Sequence, residues 1–119
     1  MIFGYEYILD AYSCDKEAIL NVNNVKLFLR ELIHDIGMQI YYHEDLHMQV
    51  HKYGNDKSNY GITGISPILT SSITIHTVEY TGNLYLNVFS CKCFNIQKVD
   101  KCVSRFFKPE KLKKMAIKR

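Results

Sequence analysis

The apolar positions change period along the chain. Phe3 to Tyr12 is dense in aromatic and β-branched residues and predicts a strand. The apolar residues Ile19, Val22, Val25, Leu29, Leu32, Ile33 and Ile36 then fall in steps of three and four, which marks one face of an amphipathic helix. Ser13 or Asp15 supplies its cap, because a short side-chain oxygen takes one of the N–H groups left free at a helix start. Gly37 supplies its stop, because the left-handed residue that ends many helices carries no Cβ penalty when it is glycine. A second strand is predicted over Met38 to Tyr42.

From Glu44 to Tyr60 the periodicity fails, and the stretch reads as a long polar loop. Beyond it Ile62 to Leu69, Ile73 to Val78 and Leu84 to Phe89 predict three strands, punctuated by Gly61, Gly64, Ser71-Ser72 and Thr81-Gly82-Asn83. Ile96, Val99, Val103, Phe106 and Phe107 predict a second amphipathic helix, stopped by Pro109. This order implies an α+β fold, a two-layer sandwich of a mostly antiparallel sheet with helices packed on one face. No repeat or low-complexity linker divides residues 1–119, which read as a single domain.

Composition narrows the function classes. Of 119 residues, 47% are hydrophobic, enough for a core without disulfide staples. A domain this small leaves little room for a deep private pocket, so a large substrate site is expected to be shared between two copies of a homodimer. The net charge of +3 comes mostly from Lys108 to Arg119, which reads as a solvated, partly frayed end. The rest of the chain has no basic stripe, so nucleic acid is not an expected partner. No stretch approaches membrane-spanning length, and Met1 to Leu9 lacks the pattern of a signal peptide. Cys14, Cys91, Cys93 and Cys102 form no C-x-x-C pair, which fits free thiols in a reducing, cytoplasmic compartment. His43, His47 and His51 have a spacing that would suit one helix face, but no cysteine or paired carboxylate completes a ligand set, and no metal is expected.

Three short pieces carry the chemistry: Gly61-Ile62-Thr63-Gly64, Thr70-Ser71-Ser72-Ile73-Thr74-Ile75-His76-Thr77 and Phe89-Ser90-Cys91. Alone, each reads as ordinary turn, strand or small apolar residues. In this order and spacing they resemble the bacterial-type S-adenosylmethionine decarboxylase proenzymes. There a G-V-S-G turn precedes a strand ending in E-S-H, followed by L-T-I-H-T and later F-T-C. Tyr7-Ile8-Leu9-Asp10-Ala11-Tyr12-Ser13-Cys14-Asp15 likewise resembles that family's opening strand and Y-x-C-D helix start. The similarity spans nearly the whole chain and is loosest between Glu44 and Tyr60 and in the last helix and tail.

The resemblance implies a pyruvoyl group derived from Ser71 by cleavage after Thr70, giving fragments 1–70 and 71–119. Decarboxylating an amino acid leaves a carbanion, and a pyruvoyl carbonyl in Schiff-base linkage to the substrate amine can absorb it. Thr63 would stabilise the oxyanion of the cleavage, His76 would take the Ser71 α-proton, and Cys91 would return a proton to the substrate carbon. S-adenosylmethionine would be the substrate, and its decarboxylated product would feed spermidine biosynthesis.

This chain departs from the family's pattern in two places. The family's E-S-H is Thr70-Ser71-Ser72 here, and Thr70 need supply only the attacked carbonyl. The family's H-T-W-P-E-Y-G is His76-Thr77-Val78-Glu79-Tyr80-Thr81-Gly82, without the tryptophan and with the glutamate one place early. A one-residue shift turns a strand side chain to the opposite face, so Glu79 reaches a ribose only through a local bulge. Tyr60 is a candidate stacking ring. These departures keep two alternatives open: a related pyruvoyl decarboxylase acting on ornithine or arginine, and an unprocessed, non-catalytic relative.

Overall fold

The structure is a computed structural model that describes residues 3–39 and 48–119. The opening strand, β1 (Tyr5–Tyr12), buries Tyr7, Leu9 and Ala11 and turns Glu6, Ile8 and Asp10 the other way. The predicted helix is broken into α1 (Lys16–Leu20) and α2 (Val22–Asp35). At the break, extended Asn21 accepts the Asn24 N–H at 3.0 Å and starts a second helix, while Ile19, Val25, Leu29, Leu32 and Ile33 still share one buried face. Asp15 is the first cap, accepting the Glu17 N–H at 3.0 Å; Ser13 instead takes a left-handed turn at φ 53°. Gly37 ends α2 at φ +76°, with its N–H on the His34 carbonyl and that of Met38 on the Ile33 carbonyl.

Two expectations are corrected by sheet pairing. The polar loop contains a strand, β2 (Gln49–Tyr53), paired with β3 (Gly61–Ile68). Val50 is its one buried residue, so an edge strand of this kind shows no alternation. The basic tail is not frayed: Lys111–Lys118 forms β6, antiparallel to β1 from Tyr12↔Lys111 to Tyr5↔Lys118. Backbone pairing needs no buried side chains, and lysines along an exposed edge discourage further strand addition. Leu112 packs on the core, and Lys114 reaches Asp100 at 3.0 Å. Met38 and Gln39 are in no strand; the rest of the predicted second strand, with His43 and His47, lies outside the described residues.

The remaining elements follow the sequence reading closely: β4 (Ser71–Val78), β5 (Asn83–Ser90) and α3 (Ile96–Phe107). Among the described residues the strands form one antiparallel sheet in the order β2-β3-β4-β5-β1-β6. The helices cover one face and enclose Leu9, Ile73, Ile75, Leu86 and Val88 with Ile19, Phe28, Val103 and Phe107. Phe28 meets Phe107 edge to face, ring centres 4.8 Å apart, and so joins α2 to α3. No helix among the described residues covers the other sheet face. That face carries His76 and the exposed apolar side chains Ile65, Tyr85, Met115 and Ile117. The α+β two-layer expectation is met.

Candidate active site

At one end of the sheet, β3 turns into β4 through Leu69 and Thr70. Thr70 sits at φ 55°, a left-handed conformation that is strained for a β-branched residue. Its carbonyl accepts the backbone N–H of Cys91 at 3.3 Å, and its hydroxyl lies 2.7 Å from the Cys91 sulfur. Ser71, the first residue of β4, pairs across the ladder with Ser90, the last of β5. The Ser71 hydroxyl donates to Ser90 Oγ at 2.9 Å, and the Lys92 N–H donates to the same oxygen at 3.0 Å. The side chains of Ser71 and Ser90 follow the buried, helix-facing side of their strands, and Cys91 is the first residue after β5. A cavity of about 300 Å³ opens on this group and is also lined by Gly37, Met38 and Gln39, just past the end of α2. A serine behind a strained residue, with polar neighbours and a cavity for a small carbonyl group, fits a self-derived pyruvoyl.

Thr63 and His76 form a second pair. They face each other across β3 and β4, with Thr63 Oγ1 3.0 Å from His76 Nδ1. Gly61, the first residue of β3, is required by close approach, since a methyl group there would fall on the Thr77 carbonyl oxygen. His76 is five positions along β4 from Ser71, about 16 Å at ~3.3 Å per residue, and an odd spacing puts it on the opposite, open face. Within one chain the fold therefore separates Thr63 and His76 from Ser71. It brings Thr70, Ser71, Ser90 and Cys91 together.

Tyr60 and Glu79 meet at the far end of the same strands. The Glu79 N–H donates to the Tyr60 carbonyl at 2.9 Å, and equal numbers of residues separate this pair from Thr63↔His76 on both strands. No bulge intervenes to turn Glu79 back toward the open face. Both residues line a cleft of about 650 Å³ with Lys16, Asp56, Lys57 and Tyr80. Hydrogen bonds from the Ser58 hydroxyl and N–H hold the Asp56 carboxyl below its usual range, so the cleft keeps this negative charge.

Sequence reasoning missed Ser90 and the Cys91 N–H. The middle residue of Phe89-Ser90-Cys91 is a hydroxyl just past the strand predicted over Leu84 to Phe89, and only the ladder puts it opposite Ser71. Among the other thiols, Cys93 is exposed, while burial pushes Cys14 up to about 11 and Cys102 up to about 12, leaving both as inert core thiols. Among the described residues no cluster of His, Cys, Asp or Glu could hold a metal ion, and no helix is long and apolar enough to cross a membrane.

The structure is thus a two-layer α+β domain with serine, threonine and cysteine gathered at one strand junction. The chain belongs to the S-adenosylmethionine decarboxylase family, whose sequence profile matches residues 5–119, and the members of that family are carboxy-lyases. It is 27% identical over 117 residues to the S-adenosylmethionine decarboxylase proenzyme of Methanococcus aeolicus, covering 98% of this chain and 92% of that one. The proenzyme of Methanococcus maripaludis is 27% identical over 118 residues, covering 98% and 88%. The fold matches the crystal structure of the adenosylmethionine decarboxylase from Aquifex aeolicus with a TM-score of 0.79 at 17% identity, over 99% of this chain and 91% of that one.

Proposed function

We propose that this chain is a pyruvoyl-dependent S-adenosylmethionine decarboxylase that matures by cutting itself between Thr70 and Ser71. The observation that carries the proposal is the arrangement around that one peptide bond. Its carbonyl is held by the Cys91 N–H, its following hydroxyl is held by Ser90, and Thr70 is strained in the left-handed region. Attack of Ser71 Oγ on the Thr70 carbonyl carbon forms a C–O bond, breaks the C–N bond and moves the hydroxyl proton to the freed nitrogen. The Cys91 N–H already points at the oxygen that becomes negative in that step. Removal of the Ser71 α-proton then breaks the Cβ–Oγ bond, Thr70 leaves as a carboxylate, and the new amino terminus hydrolyses with loss of ammonia to a pyruvoyl group. That carbonyl supplies the electron sink for decarboxylation.

His76 remains the proposed base for the α-proton and Thr63 the proposed second oxyanion donor, acting on the Ser71 of a partner subunit. Two features support this: the opposite faces of the two groups within one chain, and an open sheet face with exposed Ile65, Tyr85, Met115 and Ile117. That face is the surface through which such a homodimer would pack. Cys91 is the proposed proton donor to the substrate carbon. Tyr60, Tyr80 and Glu79 offer π-faces and a carboxylate to a sulfonium nucleoside. Glu79 is eight positions from Ser71 along the line of β4, about 26 Å at ~3.3 Å per residue, so in this proposal they serve the Ser71 of the partner subunit, as His76 does. A cytoplasmic role in supplying aminopropyl groups for spermidine follows from this assignment.

The test has two stages. Intact mass of purified protein should resolve fragments 1–70 and 71–119, the second with a blocked amino terminus. Matured protein incubated with carboxyl-labelled S-adenosylmethionine, ornithine or arginine should release labelled carbon dioxide from the first alone. A chain that stays whole would sink the enzyme assignment. Release only from a basic amino acid would replace the substrate and leave Ser71, His76 and Cys91 in their roles.

A further inference from the structure

We infer that Ser90 is a positioning residue for self-cleavage, which fixes the Ser71 hydroxyl for its attack on the Thr70 carbonyl. The inference rests on the proposed processing at Ser71 and adds a residue to it. Ser90 is 1% exposed, at the end of β5 and directly opposite Ser71 in the ladder. Its oxygen accepts two hydrogen bonds, from the Ser71 hydroxyl at 2.9 Å and from the Lys92 N–H at 3.0 Å. The backbone bond fixes where the Ser90 oxygen sits, and the oxygen in turn fixes the side-chain torsion of Ser71. A free serine on a strand samples several staggered rotamers, and the torsion decides whether its oxygen can reach the carbonyl carbon of the preceding residue. With its proton committed to Ser90, Ser71 Oγ keeps its lone pairs for that carbon. The next residue acts on the same bond, because the Cys91 N–H holds the Thr70 carbonyl. Ser90 and Cys91 thus hold the two reacting groups of the acyl shift from one stretch of backbone, and both are fixed before the partner subunit is needed.

The experiment follows conversion of the 119-residue chain to its two fragments by intact mass, in wild type and in Ser90→Ala, Ser90→Thr and Ser90→Cys. Loss of the acceptor should slow cleavage by about tenfold, the effect of one neutral hydrogen bond on a barrier. Thr keeps the hydroxyl and should stay within about threefold of wild type. Cys keeps the size but accepts weakly, and should behave like Ala, which covers the case of an Ala variant that packs badly. A His76→Ala background isolates the step. Ester accumulates there and is read out as hydroxylamine-sensitive chain, and adding Ser90→Ala should slow its appearance by the same factor. Equal slowing by Thr and Ala, or an unchanged rate of ester formation, would overturn the role of the Ser90 hydroxyl. A wild-type chain that never cleaves would instead remove the processing assignment beneath it.

Discussion

The two ends of strand β4 are built to different standards. At Ser71 the polar atoms are held in place: the Thr70 carbonyl and hydroxyl and the Ser71 hydroxyl each have a partner on Ser90 or Cys91. At Glu79 the strand runs into an open cleft whose lining comes from α1, the β2–β3 loop and the β4–β5 turn, with Tyr80 69% exposed. The difference follows from the chemistry assigned to each end. An acyl shift between adjacent residues works only if a few atoms are fixed to within fractions of an ångström, and a β-ladder does this with its own register. Recognition of a nucleoside uses area and charge, which loops supply in many ways. Departures from the family's sequence pattern fall at both ends: Thr70 and Ser72 flank a retained serine at one, while at the other Val78 stands for a tryptophan and Glu79 is displaced.

Ser71→Ala breaks the comparison most completely: no fragments should form at any time, while Ser72→Ala should still cleave. Cleavage in Ser71→Ala would move the junction. His76→Ala should slow β-elimination on the order of 10²–10⁴-fold, as loss of a general base does. Coexpression of Ser71→Ala with His76→Ala should restore cleavage of the His76→Ala chain, because a mixed dimer offers it the partner's intact histidine. Failure of that complementation, with mixed dimers verified by mass, would place the base within the same chain.

Cys91→Ala should still yield both fragments but lose on the order of 10²-fold or more in carbon dioxide release. Cys93→Ala should lose little, and equal losses would undo the proton-donor assignment. At the other end, Glu79→Gln and Tyr60→Ala should raise KM for S-adenosylmethionine by about tenfold each, in the range of one charged or stacking contact, without slowing fragment formation. A change in cleavage rate would mean that the two ends are not independent. The smallest effect concerns the thiols. At pH 8, below the raised values of about 11 for Cys14 and about 12 for Cys102, both stay protonated and buried and should resist alkylation in folded protein, while exposed Cys93 reacts. Mass analysis of the modified peptides checks this, and modification of Cys14 or Cys102 without unfolding would contradict their burial.

What the sequence determined by itself was local and periodic. The steps of three and four through Ile36, the glycine at 37, and the strands over 62–69, 73–78 and 84–89 were legible because side-chain direction repeats with the backbone. The proposed cleavage serine, base and proton donor, Ser71, His76 and Cys91, came through resemblance, because their spacing is carried along the chain. The tertiary structure decided what depends on pairing. It made a strand of the lysine-rich tail, through backbone bonds to β1 that leave no apolar pattern. It made Gln49–Tyr53 an edge strand with a single buried residue. It separated His76 from Ser71, because five positions along a pleated strand mean distance and the opposite face. It set Ser90 against Ser71 from nineteen residues away, because an antiparallel register chooses neighbours that no spacing in the sequence can name.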